Sequence, residues 1–115
     1  IEESERPTAY LILLRDENVR KKCDYDVGAA STMAMLAATE KGLATCPIAN
    51  FQAAKLAALL KLPENLQPEL VLAVGYPDQE SQVVPMADTV RYSRDEMGTF
   101  LVPKWSGKEI TVFDK

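Results

Sequence analysis

The side chains that could carry chemistry in this 115-residue chain are few, and one type is missing altogether: there is no histidine. Ser-His-Asp and Cys-His nucleophile arrangements are therefore excluded. The two cysteines, Cys23 and Cys46, form no C-x-x-C pair. Without histidine they cannot assemble a Cys-rich zinc site. So sparse a cysteine complement points to a reducing, cytoplasmic compartment. Redox or acid–base work must then come from carboxylates, a thiol or a bound cofactor. The one basic run, Arg20-Lys21-Lys22, sits beside Asp16, Glu17 and Asp24 in a chain of net charge −4. That is a solvated loop rather than the basic face a nucleic acid needs. Two further places stand out. Pro47-Ile48-Ala49-Asn50 reads as a bend between a strand and a helix, with Asn50 a good N-cap. Lys104 follows Val102-Pro103 and, on its own, reads as a solvated cation.

The element that must position the bend is the helix before it. Val27 to Ala38 contains no charged residue. Its apolar side chains recur on one stripe at Val27, Ala30, Ala34 and Ala38, and on a neighbouring one at Ala29, Met33 and Leu36. A helix apolar nearly all round belongs in a core or an interface. At about twelve residues it is too short to cross a bilayer. Asp24 or Asp26 is expected to cap its start, and Gly42 to end it in the left-handed conformation. It runs directly into a strand at Leu43–Cys46, which stops at Pro47.

Around this centre the order is strand, helix, strand, helix, strand. Thr8–Leu14 is a continuous apolar run of strand length, and Arg15–Asp26 a charged loop. A second helix runs from Phe51 to about Leu60, ended by Lys61-Leu62-Pro63. Pro63–Pro68 is a connecting turn, and Glu69–Val74 another buried strand. After Pro77 the character changes. Asp78–Pro85 is polar, Thr89–Tyr92 and Thr99–Val102 are β-prone with a hairpin connection at 93–98, and Glu109–Phe113 is a short final strand. Residues 1–7 form a polar tail. The length fits one domain, spanning 1–115, that buries roughly two-thirds of its unfolded surface. Its 47% hydrophobic and 26% charged fractions are ordinary for a globular chain. No signal peptide or membrane span is expected. Alternation alone favours βαβ crossovers and a parallel sheet.

The run DVGAASTMAMLAATEKGLATCPIANF, followed by a helix ending in KLP and then ELVLAVGYP, resembles the C-terminal half of the nitroreductase family. These are FMN-dependent oxidoreductases that use NAD(P)H. The resemblance covers about Ala9 to Pro77. RYSRDEMGTFLVPKW is similar to a hairpin and Val-Pro-Lys-Arg segment found in some members. The resemblance implies an α+β fold, three-layer α/β/α, with a largely antiparallel sheet, which replaces the parallel expectation. It also implies a homodimer, with FMN at the subunit interface and the 27–38 helix packed there. The family's Arg-Ser-Arg-type phosphate grip belongs to its N-terminal half and is not among these residues. This chain alone is therefore expected to lack part of the site.

Carried over residue by residue, the resemblance places the main chain of Pro47, Ile48, Ala49 and Asn50 against the isoalloxazine ring. Family members usually have glycine at the position of Asn50, and asparagine tolerates positive φ. Lys104 matches the lysine that pairs with the FMN phosphate, while Trp105 stands where arginine is usual, which costs a bidentate donor. Arg91 and Arg94 could compensate, or be hairpin surface charges. Cys46 would lie near the flavin, although a small buried thiol is its expected role. Tyr76 is expected to pack at a strand end. The implied reaction passes hydride from NAD(P)H through FMN to a nitroaromatic or quinone-like acceptor, and needs no side-chain acid. The rival expectation is a non-enzymatic dimerisation or ligand-binding module with a degraded flavin site.

Overall fold

A computed structural model of the chain describes Glu3 and residues 6–112. Most of the expected 1–7 tail, and Phe113 at the end of the expected last strand, lie outside the described residues. The chain divides into two compact units at Pro77/Asp78, where the sequence changes character.

The first unit is built from strand β1 (Ala9–Asp16), helix α1 (Asp24–Glu40), strand β2 (Ala44–Ile48), helix α2 (Ala53–Leu60) and strand β3 (Leu66–Gly75). The sheet order is β1-β3-β2, with β3 antiparallel to both neighbours. The two strands flanking α1 therefore run parallel to each other, as alternation demands, but the last strand is inserted between them. This is a split βαβ unit, and the insertion turns a parallel expectation into an antiparallel sheet. Being central, β3 carries the buried residues Pro68, Val71 and Leu72.

Pro68 stands in this central strand, where a proline should break the ladder. Opposite it the register shifts between Leu13 and Leu14: Leu13 pairs with Leu70 and Leu14 with Pro68, leaving Glu69 as the extra residue. A β-bulge is where a strand accommodates proline and re-aims a side chain. Here Glu69 accepts a hydrogen bond from Arg15 Nε, and Arg15 also holds Glu17 at 2.9 Å. Leu66-Gln67-Pro68 thus belong to the strand, not to the expected turn.

Helix α1 starts one residue after Cys23, whose side chain makes no cap bond. Asp24 and Asp26 lie within the first turn instead of capping it, where their charge suits the positive end of the helix dipole. Gly42 takes φ +73° as expected, closing the helix after Lys41. The face turned inward is Val27, Ser31, Ala34, Met35 and Ala38. Ser31 is the most buried of these at 6% exposure, its hydroxyl donating to Gly28 O at 2.9 Å. Bonding within its own helix lets a polar residue sit inward without an orphaned group. Met33 and Leu36 face outward, 70% and 64% exposed.

Helix α2 begins after Gln52, two residues later than Asn50 would place it. Its end is a Schellman closure: Leu62 N–H bonds Ala57 O at 3.0 Å and Lys61 N–H bonds Ala58 O at 3.1 Å. Lys61 takes the left-handed conformation, φ 52° and ψ 43°. A side chain there costs about 1–2 kcal/mol, more than the extra chain entropy of glycine, about 0.5–1 kcal/mol. Lys61→Gly is therefore expected to stabilise the chain by roughly 0.5–1 kcal/mol. A higher urea midpoint at unchanged slope would register it; a lower midpoint would show that the lysine stem contributes packing.

The second unit contains β4 (Ser81–Pro85), β5 (Ser93–Arg94), β6 (Phe100–Lys104) and a short helix α3 (Gly107–Ile110). β6 lies between the others, parallel to β4 and antiparallel to β5. The polar 78–85 stretch thus holds a strand, and Thr89–Tyr92 does not. The hairpin is real but two pairs long, and Asp95 organises its turn by accepting from the N–H groups of Met97 and Thr99, each at 2.9 Å. Gly98 supplies φ +87° there. Pro103 fits in β6 because β5 ends opposite Leu101, so no partner needs its missing N–H on that side. In place of the expected strand at Glu109–Phe113, Ser106 and Glu109 form a capping box that starts α3.

Candidate functional site

The bend after β2 is built by an edge strand. Pro47 pairs with Leu72 and Ile48 with Val71, so these two residues continue the strand instead of ending it. Among the described residues β2 has a neighbour on one side only, and an edge strand can carry a proline whose absent N–H faces away from the ladder. Only Ala49 and Asn50 of the four expected contact residues are loop. Asn50 is neither the cap of α2 nor in the left-handed region. Its tolerance of positive φ is not used.

The surroundings of the bend are open. Pro47, Ala49 and Asn50 are exposed, and Ile48 is half-buried. Cys46 is exposed as well, which corrects the expectation of a buried thiol. Its residue pairs with Ala73 in the ladder, and its Sγ lies 3.9 Å from Pro47 O. Among the described residues no backbone bond engages the N–H groups of Ala49, Asn50, Phe51 and Gln52. The N-terminus of α2 has no side-chain cap and no acidic residue in its first turn. The result is a shelf of small residues with several free main-chain donors and a bare helix N-terminus nearby. Such donors stabilise negative charge on a planar ring laid over them.

Lys104 belongs to the second unit. It is the last residue of β6, paired with Pro85, and its carbonyl accepts from Met86 N–H at 3.1 Å. The side chain is exposed and, among the described residues, has no carboxylate partner. It is available as a point charge. Trp105 beside it is 55% exposed. Of the two compensating arginines considered above, Arg94 lies with its guanidinium 4.0 Å from the centre of the Phe100 ring, a cation–π contact that occupies one face of the group.

One feature that sequence reasoning missed is a hollow of about 600 Å³ between the end of β1, the connection that follows it and the first turns of α1. Its wall includes Leu13, Leu14, Val19 and Cys23. Burial and the Glu69 carboxylate push the Cys23 thiol above its ordinary value, which disfavours the nucleophilic thiolate. A hint was present in Val19, an isolated apolar residue within an otherwise charged loop.

In a comparison with known families, the model of the Nitroreductase family matches residues 7–76, a span that includes α1 and the shelf. That is more than half the chain and coincides with the first unit. The chain belongs to the nitroreductase family. No curated protein matches it closely enough to count as a relative. Nitroreductase family members typically bind FMN, and the shelf is compatible with that cofactor: Pro47, Ala49 and Asn50 are exposed, and the N–H groups of Ala49 and Asn50 have no backbone partner among the described residues. Lys104 and Trp105 lie beyond the matched segment. Among the described residues no helix is long and apolar enough to cross a membrane, and no group of three or more potential metal ligands occurs.

Proposed function

We propose that this nitroreductase-family chain takes part in FMN-mediated hydride transfer from NAD(P)H to a nitroaromatic or quinone-like acceptor. The observation that carries this reading is the open shelf at Pro47–Asn50, where the N–H groups of Ala49 and Asn50 have no backbone partner among the described residues. FMN, when bound, supplies the two-electron relay. The residues of this chain would bind and orient it: Ala49 and Asn50 offer main-chain donors, and Pro47 and Ile48 hold those donors on the edge of the sheet. Lys104, in the second unit, is proposed for the phosphate on the family resemblance alone. No side chain in the shelf is needed as an acid, which suits a chain without histidine. The arrangement proposed is the family's three-layer α/β/α homodimer, in which the outward face of α1, with Met33 and Leu36, is covered by a second copy.

Trp105 favours a second reading, a dimerisation or ligand-binding module with a weakened phosphate grip. Titrating the chain with FMN and following flavin fluorescence separates the two. Under the first reading FMN binds, its ring fluorescence is quenched, and NAD(P)H is oxidised in its presence. Trp105→Arg adds a charge-assisted donor worth about 1.5–3 kcal/mol, so roughly tenfold or more tighter binding is expected. Saturable binding without NAD(P)H oxidation would select a module with a weakened flavin site, and no FMN binding by either form would reject the first reading and leave a dimerisation module that takes no flavin.

A further inference from the structure

Asn50 ends the shelf with a side chain that has no local task. Asparagine in a bend normally turns its carboxamide back onto nearby main chain, capping the next helix or closing an Asx turn. Here α2 begins only after Gln52, and Asn50 is outside the left-handed region. Asn65 gives its carboxamide to Asp16 at 2.8 Å, whereas that of Asn50 enters no hydrogen bond among the described residues. Pro47, Ile48 and Ala49 carry no polar side-chain atom. The exposed Asn50 carboxamide is therefore the one side-chain hydrogen-bonding group of the shelf, and it adjoins the main-chain donors of Ala49 and Asn50.

Resting on the flavin reading above, we propose that the Asn50 carboxamide donates a hydrogen bond to the heteroatom edge of the isoalloxazine ring, and thereby favours the reduced cofactor over the oxidised one. Small apolar side chains resist the lifting of a ring laid over them but hardly resist its rotation. A planar carboxamide, with two N–H donors and one acceptor, supplies the missing directional contact. Reduction gathers negative charge on that edge, and a hydrogen bond strengthens when its acceptor becomes anionic. No acidic residue in the first turn of α2 opposes this charge. The two electrons and the hydrogen come from NAD(P)H as hydride, so Asn50 donates a hydrogen bond and gives up no proton. A reduced ring held in this way is a weaker reductant, which confines its acceptors to electron-poor ones.

The test uses the full chain loaded with FMN and reads the midpoint potential of the bound flavin beside its dissociation constant, neither of which needs turnover. Asn50→Ala removes the donor, and Asn50→Asp keeps its shape but puts a carboxylate in its place. Both replace an exposed side chain, so circular dichroism should not change. The potential should be highest in the wild type, lower in Asn50→Ala and lowest in Asn50→Asp. Loss of the donor should weaken reduced FMN about tenfold relative to oxidised FMN, the scale of one hydrogen bond to a charged group, which is about 30 mV for a two-electron couple. Gln52→Ala is the control: Gln52 also makes no side-chain cap bond, and its loss should leave the potential unchanged. Equal potentials in the wild type and both Asn50 variants would overturn the proposal, as would wild-type behaviour of Asn50→Asp alone, which would leave Asn50 a matter of shape. A drop in Gln52→Ala as large as that in Asn50→Ala would overturn it too, by assigning the donor to Gln52. A wild-type chain that binds no FMN would reject the flavin reading itself, and this proposal with it.

Discussion

Leu72→Ala is expected to lower the stability of the chain by about 2–5 kcal/mol, the range for deleting a fully buried leucine. Leu72 is 0% exposed and sits in the middle of β3, paired with Leu11 on one side and Pro47 on the other. Truncation removes transfer energy and leaves a cavity that a strand hydrogen-bonded on both sides cannot close. Single domains are stable by only about 5–15 kcal/mol, so the loss is a large share of the total. Because Leu72 pairs with Pro47, the same substitution is expected to loosen the shelf. Urea unfolding followed by far-ultraviolet circular dichroism measures the first effect. Leu59→Ala is the control: Leu59 is 78% exposed, and its loss should cost no more than about 0.5 kcal/mol. Equal effects at the two positions would show that the core is not centred on β3.

Met33→Glu combined with Leu36→Glu is expected to abolish the proposed self-association through α1 while leaving the monomer folded. These side chains project from the outward face of α1, 70% and 64% exposed, among exposed alanines that let another backbone approach closely. Two carboxylates on each copy would face each other across a two-fold contact, desolvated and of like sign. The expected reading is a halved mass by light scattering, with unchanged circular dichroism. Ala34→Glu makes the informative contrast. Ala34 lies on the half-buried, inward stripe with Val27 and Ser31, so its replacement should lower folding stability as well. A wild-type chain that is already monomeric, or a double variant of unchanged mass, would mean that α1 is not the contact between copies.

How much of this was legible beforehand follows from where the signals lie. The existence and type of the five elements in the first unit could be read from their apolar runs, because each element's own residues carry the period. The ends were misjudged where one element's end depends on another element. Pro47 signals a strand end by itself, but it is tolerated because β2 has no neighbour on that side. Pro68 reads as a turn until the bulge opposite Leu13 and Leu14 is seen. Asn50 has a capping side chain, yet the chain goes two residues further before it turns into α2. In the second unit the strands are short; β6 shows in its apolar Phe100-Leu101-Val102, but β4 exists only through its pairing with β6. No local pattern could have announced it.

By itself, then, the order of residues settled the family, the absence of histidine chemistry, and the small-residue run that leads through Gly42 into the shelf. It did so because motif, composition and helical period are properties of neighbours along the chain. The tertiary structure alone decided that β3 enters between β1 and β2, that Ser31 turns inward while Met33 turns out, and that the Pro47–Asn50 main chain is left uncovered. Those outcomes depend on pairing across 23 to 65 residues of separation, and which partner wins there is set by the burial of Leu72 and its neighbours rather than by any local preference.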